Sequence, residues 1–303
     1  MHRVRKQIGL TDRLLYACGG VGVTVAVLDT GIGNHPDFGG RILAFRDFLH
    51  GQHTNYDDSG HGTHVAGCIA GDGYASNGKH KGMAPSSRLL IGKVLDQQGD
   101  GNIEEMINGI EWVLENKARY QIRILNISIG MSDNTGKERM NRLLRAVDEA
   151  WCEGLIVVCA AGNTGPKLMT LSPIGAIQKV ITVGCNEGGF FGNHKHLCEH
   201  YSGRGPSPYA IKKPDIVAPG TDIISCNLNI EKRGNKYRNA YIAKSGTSMS
   251  TPIVSGALAL LLQKHPYYTN EQAKCELLDS TTDLKQPWSK QGNGLLHVAR
   301  MLE

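Results

Sequence analysis

The segment AKSGTSMSTPIVSGALALLLQKH, residues 243–265, predicts a helix that is buried on most sides. Residues 253–262 within it are small or aliphatic throughout, which is typical of a helix inside the fold. Pro252 is expected in the first turn of this helix, where no backbone donor is needed. Ser248 would then lie at the helix N-terminus, where negative charge is favoured. Taken alone, a serine at this place is typical of an N-cap.

Five nearly continuous apolar runs predict strands that are covered on both faces, as in a parallel sheet. They are residues 21–28, 89–94, 123–128, 155–160 and 180–184. Helical patterns lie between them, at residues 102–115 with Asn102 and Glu105 as a capping pair, and at residues 137–153. The alternation predicts a three-layer, doubly wound α/β fold with a mostly parallel sheet and helices on both faces. Because we see no linker or repeat, we expect one domain over residues 1–303, with loops at 33–59, 71–85 and 190–213.

The amino-acid composition limits which binding partners and which cellular compartment we expect. The chain of 303 residues carries 33 basic and 28 acidic residues, spread without a block of like charge, so we expect neither nucleic acid nor a membrane as partner. No apolar stretch approaches the roughly 20 residues of a membrane-spanning helix. The eight cysteines show no regular spacing and several lie in apolar runs, which favours a cytoplasmic protein with reduced thiols. The alternative is a secreted protein whose leader and pro-segment are removed from this chain.

Three polar segments follow predicted strands or open predicted helices. Asp29 closes the first strand, His61 lies on a glycine turn before an apolar segment, and Ser248 opens the buried helix. Each residue alone has a structural interpretation as a cap or a packed side chain. Their order along the chain, Asp, His, Ser, is one of the orders known for serine catalytic triads. Since ligands of such folds gather at the carboxyl ends of strands, we expect these side chains to converge there.

These segments resemble the three signature blocks of the subtilisin-like serine proteases, Asp29-Thr-Gly31, His61-Gly-Thr-His64-Val-Ala-Gly67 and Gly246-Thr-Ser248-Met249. Seven further stretches resemble the same family in order: His35-Pro-Asp37, Gly82-Met-Ala-Pro85, Lys93-Val-Leu95, Asn126-Ile-Ser128, Ala160-Ala-Gly-Asn163, Val217-Ala-Pro-Gly220 and Gly292-Asn-Gly-Leu295. The resemblance covers about residues 8–301, and the loops between the blocks look closest to bacterial intracellular or AprX-like members. It implies a serine endopeptidase that hydrolyses extended or unfolded protein segments through an acyl-enzyme intermediate.

The resemblance also implies the role of each site residue. Ser248 is the expected nucleophile, His61 its general base, and Asp29 the residue that orients His61. Asn163 and the backbone N–H of Ser248 are the expected donors to the oxyanion. His64, one helical turn after His61, is expected to pack structurally, and the two histidines lack the spacing and the glutamate of the HExxH zinc motif.

Substrate and metal sites are implied less sharply. The expected substrate-binding backbone comprises Ser128, Ile129, Gly130, Ala160, Ala161 and Gly162. No cofactor is expected in the chemistry, but Asp37 matches a position that binds structural calcium in several family members. Its expected partner loop is replaced here by the basic residues 73–81, which fit a cation poorly. A cluster of His194, His196, Cys198 and His200 has zinc-binding residue types, although its alternate spacing favours a solvated loop.

Other functions compete with this interpretation. An inactive family member that serves as a binding or regulatory module would be expected to lack one of the chemical positions, and all four are present. A serine hydrolase of the α/β-hydrolase kind needs G-x-S-x-G and the order Ser, Asp, His, and this chain has neither. An inhibitory pro-segment is a further candidate partner by resemblance. The roughly twenty residues before the first predicted strand are too few for a folded one, so we expect either a short-leader form or a pro-segment that has been removed.

Overall fold

A computed structural model describes residues 1–129, 136–192, 196–208, 210–234 and 236–303. The helices are α1 (His2–Gln7), α2 (Asp12–Ala17), α3 (His61–Ala70), α4 (Ile103–Tyr120), α5 (Lys137–Cys152), α6 (Thr247–Lys264), α7 (Asn270–Asp279), α8 (Trp288–Gln291) and α9 (Val298–Met301). The strands are β1 (Thr24–Asp29), β2 (Ile42–Asp47), β3 (Arg88–Lys93), β4 (Ile122–Ile127), β5 (Ile156–Ala160), β6 (Ile181–Cys185), β7 (Ile216–Ala218), β8 (Ile223–Cys226), β9 (Glu231–Arg233), β10 (Lys236–Arg238) and β11 (Tyr241–Lys244).

Seven strands of the described chain form one parallel sheet in the order β2-β3-β1-β4-β5-β6-β7. Helices α3 and α6 pack on each other and on the sheet, and α4 and α5 do the same on the sheet's other face. The predicted three-layer α/β fold is therefore confirmed. Because the chain runs outward from β1 in both directions, β1 ends at a switch point of the sheet, where ligands of such folds bind.

The central strand β1 and the central helix α6 are almost completely buried. All six residues of β1 are buried, as expected for a strand that is covered on both faces. In α6, every residue from position 247 to 262 is buried except Ser248, which is half-buried. One cluster of buried hydrophobic side chains includes residues from Met1 to Leu302. Within residues 247–262, Ser248 is therefore the one residue that this buried helix leaves accessible.

Most predicted elements are present with shifted ends, and β2 was missed. The predicted helix at residues 102–115 is α4, and its capping box between Asn102 and Glu105 is formed. The sequence ILAFRD of β2 lies inside a segment predicted to be a loop. Its residues are half-exposed at the sheet edge, so the continuous apolar signal of the central strands is weaker there.

The prediction for Pro252 was wrong by about one turn. Helix α6 begins at Thr247 with Gly246 as its N-cap, so Pro252 is the sixth helical residue and Ser248 the second. Proline there cannot donate to the carbonyl of Ser248, which lies four residues earlier. Ser248 is therefore not the N-cap, and its hydroxyl does not accept a capping hydrogen bond from the backbone of α6.

Candidate active site

Asp29 and His61 meet where β1 ends and α3 begins. The Nδ1 atom of His61 lies 2.7 Å from Oδ1 of Asp29, which also accepts a 2.8 Å bond from the N–H of Thr30. The carboxylate of Asp29 is fully buried, whereas 25% of the His61 side chain is exposed. Since Nδ1 donates to Asp29, the Nε2 atom of His61 is the one that can take a proton.

Opposing effects set the pKa of His61. Burial by itself lowers the pKa of this imidazole, because it penalises the charged form. The charge of Asp29 and its hydrogen bond raise the pKa, and they outweigh burial, so the pKa of His61 lies above its ordinary value. Lys244 lowers it and Asp57 raises it as smaller effects. The site therefore favours the imidazolium that forms when His61 acts as a base.

Asp57 holds this junction together and was not singled out from the sequence. Its carboxylate accepts bonds from the hydroxyls of Thr30 and Thr63, at 2.9 and 2.6 Å, and from the N–H of Gly60 and Thr63, at 2.8 and 2.9 Å. The hydroxyl of Thr30 in turn accepts from the N–H of Gly62 at 2.9 Å. These bonds satisfy the free N–H groups at the start of α3 and join them to the end of β1. The sequence could have indicated this role of Asp57, because its carboxylate directly precedes a glycine turn and a helix.

Lys93 supports the same junction from β3. Its fully buried ammonium donates 2.8 Å bonds to the carbonyls of Thr30 and Leu95 and to a carboxylate oxygen of Asp58. A buried lysine is costly unless its donors are all used, and here they are. A lysine at the end of an otherwise apolar strand could have indicated this role.

His64 is a packed residue of α3. Its Nε2 donates to the carbonyls of Ile223 and Ile242, at 2.8 and 3.2 Å, and its Nδ1 accepts from Cys68. Complete burial lowers the pKa of His64 to about 3, so the ring is neutral. Because Ile223 lies on β8 and Ile242 on β11, His64 fastens both strands to the helix that carries His61.

Asn163 and Ser248 border a common space in front of α6. The Oδ1 atom of Asn163 accepts from the N–H and the hydroxyl of Thr247, at 3.0 and 3.1 Å. Two donors fix this atom as the oxygen, so the amide nitrogen is the end that stays available. A methyl group on Gly246 would lie 3.5 Å from that nitrogen and 3.8 Å from the backbone nitrogen of Ser248. Two N–H donors thus flank the same position.

Gly246 is required at this place by its conformation. Its φ of +147° is one that side chains rarely adopt, and a side chain would also enter the space beside Asn163. Among the described residues, no hydrogen bond joins the hydroxyl of Ser248 to His61. Such bonds are often long without substrate and tighten in the complex. The packing of α3 on α6, and the bond of His64 to β11, set the relation between the two side chains.

The predicted substrate-binding residues lie at the carboxyl edge of the sheet, apart from Gly130, which is outside the described residues. Ser128 and Ile129 follow β4, and Ala161 and Gly162 follow β5. Because β4 and β5 are parallel neighbours, these two segments lie side by side. Ser172 crosses behind the second segment, where its hydroxyl donates to the carbonyl of Ala160 at 2.7 Å.

Asp37 does not fit a calcium site. Its carboxylate accepts from the N–H of Gly73 at 3.1 Å, the N–H of Ala75 at 2.9 Å and the hydroxyl of Tyr241 at 2.8 Å. Calcium requires six to eight oxygen ligands, and the groups that surround this carboxylate are hydrogen donors. His35 and Cys226 also bring ligand atoms within 4.8 Å, but the Nδ1 of His35 already accepts from the N–H of Asp37.

The described part of the histidine-rich loop does not converge on one point. His194 lies outside the described residues. His196 and His200 are exposed, whereas Cys198 is buried and its N–H donates to the hydroxyl of Thr221 at 2.8 Å. The three side chains therefore do not share a ligand position.

Comparisons with known proteins show which family the chain resembles. A family model described as the subtilase family matches residues 20–295. The chain is 42% identical over 274 residues to serine protease AprX of Bacillus subtilis (strain 168), which covers 87% of this chain and 62% of that protein. It is 36% identical over 297 residues to the intracellular serine protease of Paenibacillus polymyxa, and the match covers 94% of this chain and 81% of that protein.

The structure of a protein named Sphericase shares the fold with a TM-score of 0.77 at 30% identity, covering 92% of each chain. This chain spans less than two thirds of the length of AprX. No helix among the described residues is long and apolar enough to cross a bilayer. The ordered sequence blocks, the parallel sheet and the Asp29–His61 pair agree with these matches, and the chain belongs to the subtilase family of serine proteases.

Proposed function

We propose that this chain is a serine endopeptidase in which Ser248 attacks the peptide bond, His61 transfers the proton and Asp29 orients His61. The observation that carries the proposal is the 2.7 Å bond between His61 and Asp29. It directs the Nδ1 proton of His61 to a buried carboxylate and leaves Nε2 as the base. Ser248, the one residue of its helix segment that is not buried, supplies the hydroxyl.

In the first half of the reaction, the Oγ atom of Ser248 forms a bond to the carbonyl carbon of the substrate. Nε2 of His61 takes the hydroxyl proton, and the electron pair of the carbonyl moves to its oxygen. The amide of Asn163 and the N–H of Ser248 would donate to that oxygen, where charge develops. Breakage of the C–N bond then takes the proton from His61 to the leaving amine and leaves an ester on Ser248.

In the second half, a water molecule replaces the amine. His61 takes a proton from the water as its oxygen bonds to the ester carbon, and the same two donors hold the second oxyanion. The proton then returns to Oγ of Ser248 as the acid leaves. No metal or cofactor enters these steps.

We infer that the substrates are extended or unfolded protein segments. The family acts on proteins and peptides, and a peptide in extended form could pair with exposed backbone at a strand end. The segment after β4 supports this, since it follows a strand end at the carboxyl edge of the sheet, whereas the backbone of Ala161 after β5 already bonds to Val183 and Ser172. An inhibitory pro-segment that occupies the same cleft stays a prediction.

The experiment that tests the proposal combines a fluorophosphonate probe with a casein assay. We expect the wild-type protein to take up the probe and to cleave casein, and Ser248→Ala to do neither. Ser245→Ala is the matched control, because it removes an exposed hydroxyl three residues away and should leave both readouts unchanged. If the wild-type protein unfolds cooperatively on heating, and is therefore folded, but neither takes up the probe nor cleaves casein, it is an inactive family member. That result would exclude the protease mechanism.

A cytoplasmic location is the second part of the proposal. Its support is the presence of eight unpaired cysteines, five of them buried, and one relative that is named an intracellular protease. Buried thiols pack as small hydrophobic groups and persist where the surroundings are reducing. Titration of thiols in the unfolded protein, purified without reductant, should find eight. A lower number would favour the secreted alternative.

A further inference from the structure

Glu187 carries a fully buried carboxylate two residues after the end of β6. Its Oε1 atom accepts from the N–H groups of Gly220 and Thr221, at 2.8 and 2.6 Å. Its Oε2 atom pairs with the guanidinium of Arg3 at 3.2 Å. A buried carboxylate is costly unless it is paired and hydrogen-bonded, and here both of its oxygens have partners. No step of the proposed reaction uses Glu187, so its role must lie in what it holds.

The two N–H groups that Glu187 binds belong to the turn after β7. Gly220 and Thr221 are both buried, so their N–H groups would lose their partner without the carboxylate. The strands β6 and β7 are parallel neighbours, and beyond their ends the N–H of Asn186 donates to the carbonyl of Ala218 at 3.1 Å. Glu187 thus extends the pairing of these two strands into the turn and fixes its position.

The same turn supports the start of α6. The carbonyl of Gly220 accepts from the N–H of Gly246 at 2.9 Å. The carbonyls of Ala218 and Pro219 lie 3.0 and 3.2 Å from the hydroxyl of Ser250, which can donate to them. A methyl group on Gly220 would lie only 2.8 Å from the carbonyl oxygen of Gly246, so the two backbones are in close contact. A shift of the turn would therefore move Gly246.

Gly246 lies beside the two proposed oxyanion donors. A methyl group on it would be 3.5 Å from the amide nitrogen of Asn163 and 3.8 Å from the backbone nitrogen of Ser248. Two hydrogen bonds in series connect this position to the carboxylate, one between Glu187 and Gly220 and one between Gly220 and Gly246. Oxyanion donors act only when they are already in place, and a misplacement of about 1 Å can cost about 100-fold in rate.

Helix α1 fixes the carboxylate from its other side. The guanidinium of Arg3, which pairs with Glu187, also donates to the carbonyl of Thr221. It lies over the ring of Phe191, 4.6 Å from the ring centre. Gln7 of the same helix donates to the carbonyl of Glu187. The helix therefore binds both the residue that supports the turn and the turn itself.

From these contacts, and on the basis of the proposed function, we infer that Glu187 is a positioning residue for the oxyanion donors. It holds the turn after β7, and this turn holds Gly246 beside Asn163 and Ser248. Arg3 orients the carboxylate for this role. Glu187 contacts neither the substrate nor the reacting atoms, so its loss should weaken the stabilisation of the tetrahedral intermediate and leave substrate binding unchanged.

The test measures kcat and KM on a peptide amide, per active site as counted with the fluorophosphonate probe. In Glu187→Ala we expect kcat to fall by roughly 10- to 100-fold and KM to change by less than about twofold. Glu187→Gln keeps an oxygen that can accept from both N–H groups and should recover most of the loss. Arg3→Gln should lower kcat by less than Glu187→Ala. The matched controls are Lys6→Gln on α1 and Glu153→Ala, both at exposed residues, and they should keep the wild-type kcat.

A pair of inhibitors separates the oxyanion donors from the rest of the cleft. A peptide aldehyde forms a bond between its carbonyl carbon and Oγ of Ser248, which places its oxygen at the donors as the hydroxyl proton passes to His61. The corresponding peptide alcohol occupies the same cleft without that bond. In Glu187→Ala we expect the Ki of the aldehyde to rise by about the factor by which kcat falls, and the Ki of the alcohol to stay unchanged.

The outcomes separate the positioning role from the protease proposal. A wild-type kcat in folded Glu187→Ala would overturn the positioning role alone, because a merely structural residue changes Tm and the number of active sites but not the rate per site. Equal losses in aldehyde and alcohol binding would overturn it too. A wild-type protein that takes up no probe and cleaves no peptide would overturn both proposals. If Glu187→Ala does not fold, Glu187→Asp, which withdraws the carboxylate from the two N–H groups, takes its place, and an unchanged aldehyde Ki in it would overturn the role.

Discussion

At the scale of single residues, the pKa of His61 is set by neighbouring residues of both charge signs. Asp29 favours the imidazolium, Asp57 does so more weakly, and Lys244 opposes it together with burial. These groups come from β1, the turn before α3 and β11. The pKa of the general base therefore depends on residues from all three elements.

The sign of each contribution predicts the pH profile. His61 must be neutral to act as a base, so activity should appear as pH rises through its raised pKa, above the ordinary value of 6.5. Lys244→Gln removes a positive charge, and the acid limb of kcat/KM on a neutral peptide should move to higher pH. Asp29→Asn should move the His61 titration to lower pH, as measured by NMR of the imidazole in Ser248→Ala protein.

Two results would contradict this assignment. One is an acid limb that moves to lower pH in Lys244→Gln, since removal of a cation can only favour the imidazolium. The other is an unchanged His61 titration in Asp29→Asn. Lys6→Gln serves again as the control, because it changes the net charge equally at a distance from the site.

At the scale of elements, the site depends on how α3 is joined to β8 and β11. His64 makes that connection as a neutral ring, with its donor on Ile223 and its acceptor toward Cys68. The sequence predicted its structural role by resemblance, but the two carbonyl partners lie 159 and 178 residues away. Contacts of that separation are not coded in any local pattern.

His64 should make the protein sensitive to acid. Its folded pKa of about 3 is depressed from 6.5, so between these pH values the unfolded chain binds a proton that the folded chain lacks. The free energy of unfolding should therefore fall as pH decreases through this window, by up to about 1.4 kcal/mol per pH unit from this one group. Urea unfolding of Ser248→Ala protein at several pH values measures the slope.

The variant His64→Gln isolates this contribution. Its amide can still donate to Ile223 but does not titrate, so the slope between pH 6.5 and 3 should become shallower, although stability at pH 7 decreases. His35 and His80 also have lowered pKa values, and they cancel because both proteins contain them. His53→Gln, at an exposed histidine, should keep the parent slope. Equal slopes for parent and His64→Gln would show that His64 is not the group that titrates.

At the scale of the whole molecule, the region around Asp37 is held by protein groups. Arg41 donates to the carbonyls of Asp37 and Ala70, and Arg5 donates to the carbonyl of Lys81. Guanidinium groups thus bind backbone oxygens in the region around Asp37. The loop of residues 73–81 adds N–H donors to the carboxylate of Asp37.

Thermal stability should therefore not depend on calcium. We expect the Tm of Ser248→Ala protein to be the same in excess EDTA and in millimolar calcium, because the oxygens at Asp37 already have partners. Arg41→Gln should lower stability by about 1–3 kcal/mol in both buffers, since it removes the hydrogen bonds of the guanidinium to the carbonyls of Ala70, Ser87 and Asp37. A Tm that drops in EDTA and recovers with calcium would contradict this account.

The sequence by itself determined the family, the layered α/β fold and the chemical residues Asp29, His61, Asn163 and Ser248 as candidates, because their motifs are local and ordered. Tertiary structure alone decided what surrounds them: the Asp57 and Lys93 bonds, the start of α6 before Ser248, and the donors on Asp37. These features arise from contacts between segments far apart in the chain, and burial and charge there depend on packing that no local pattern encodes.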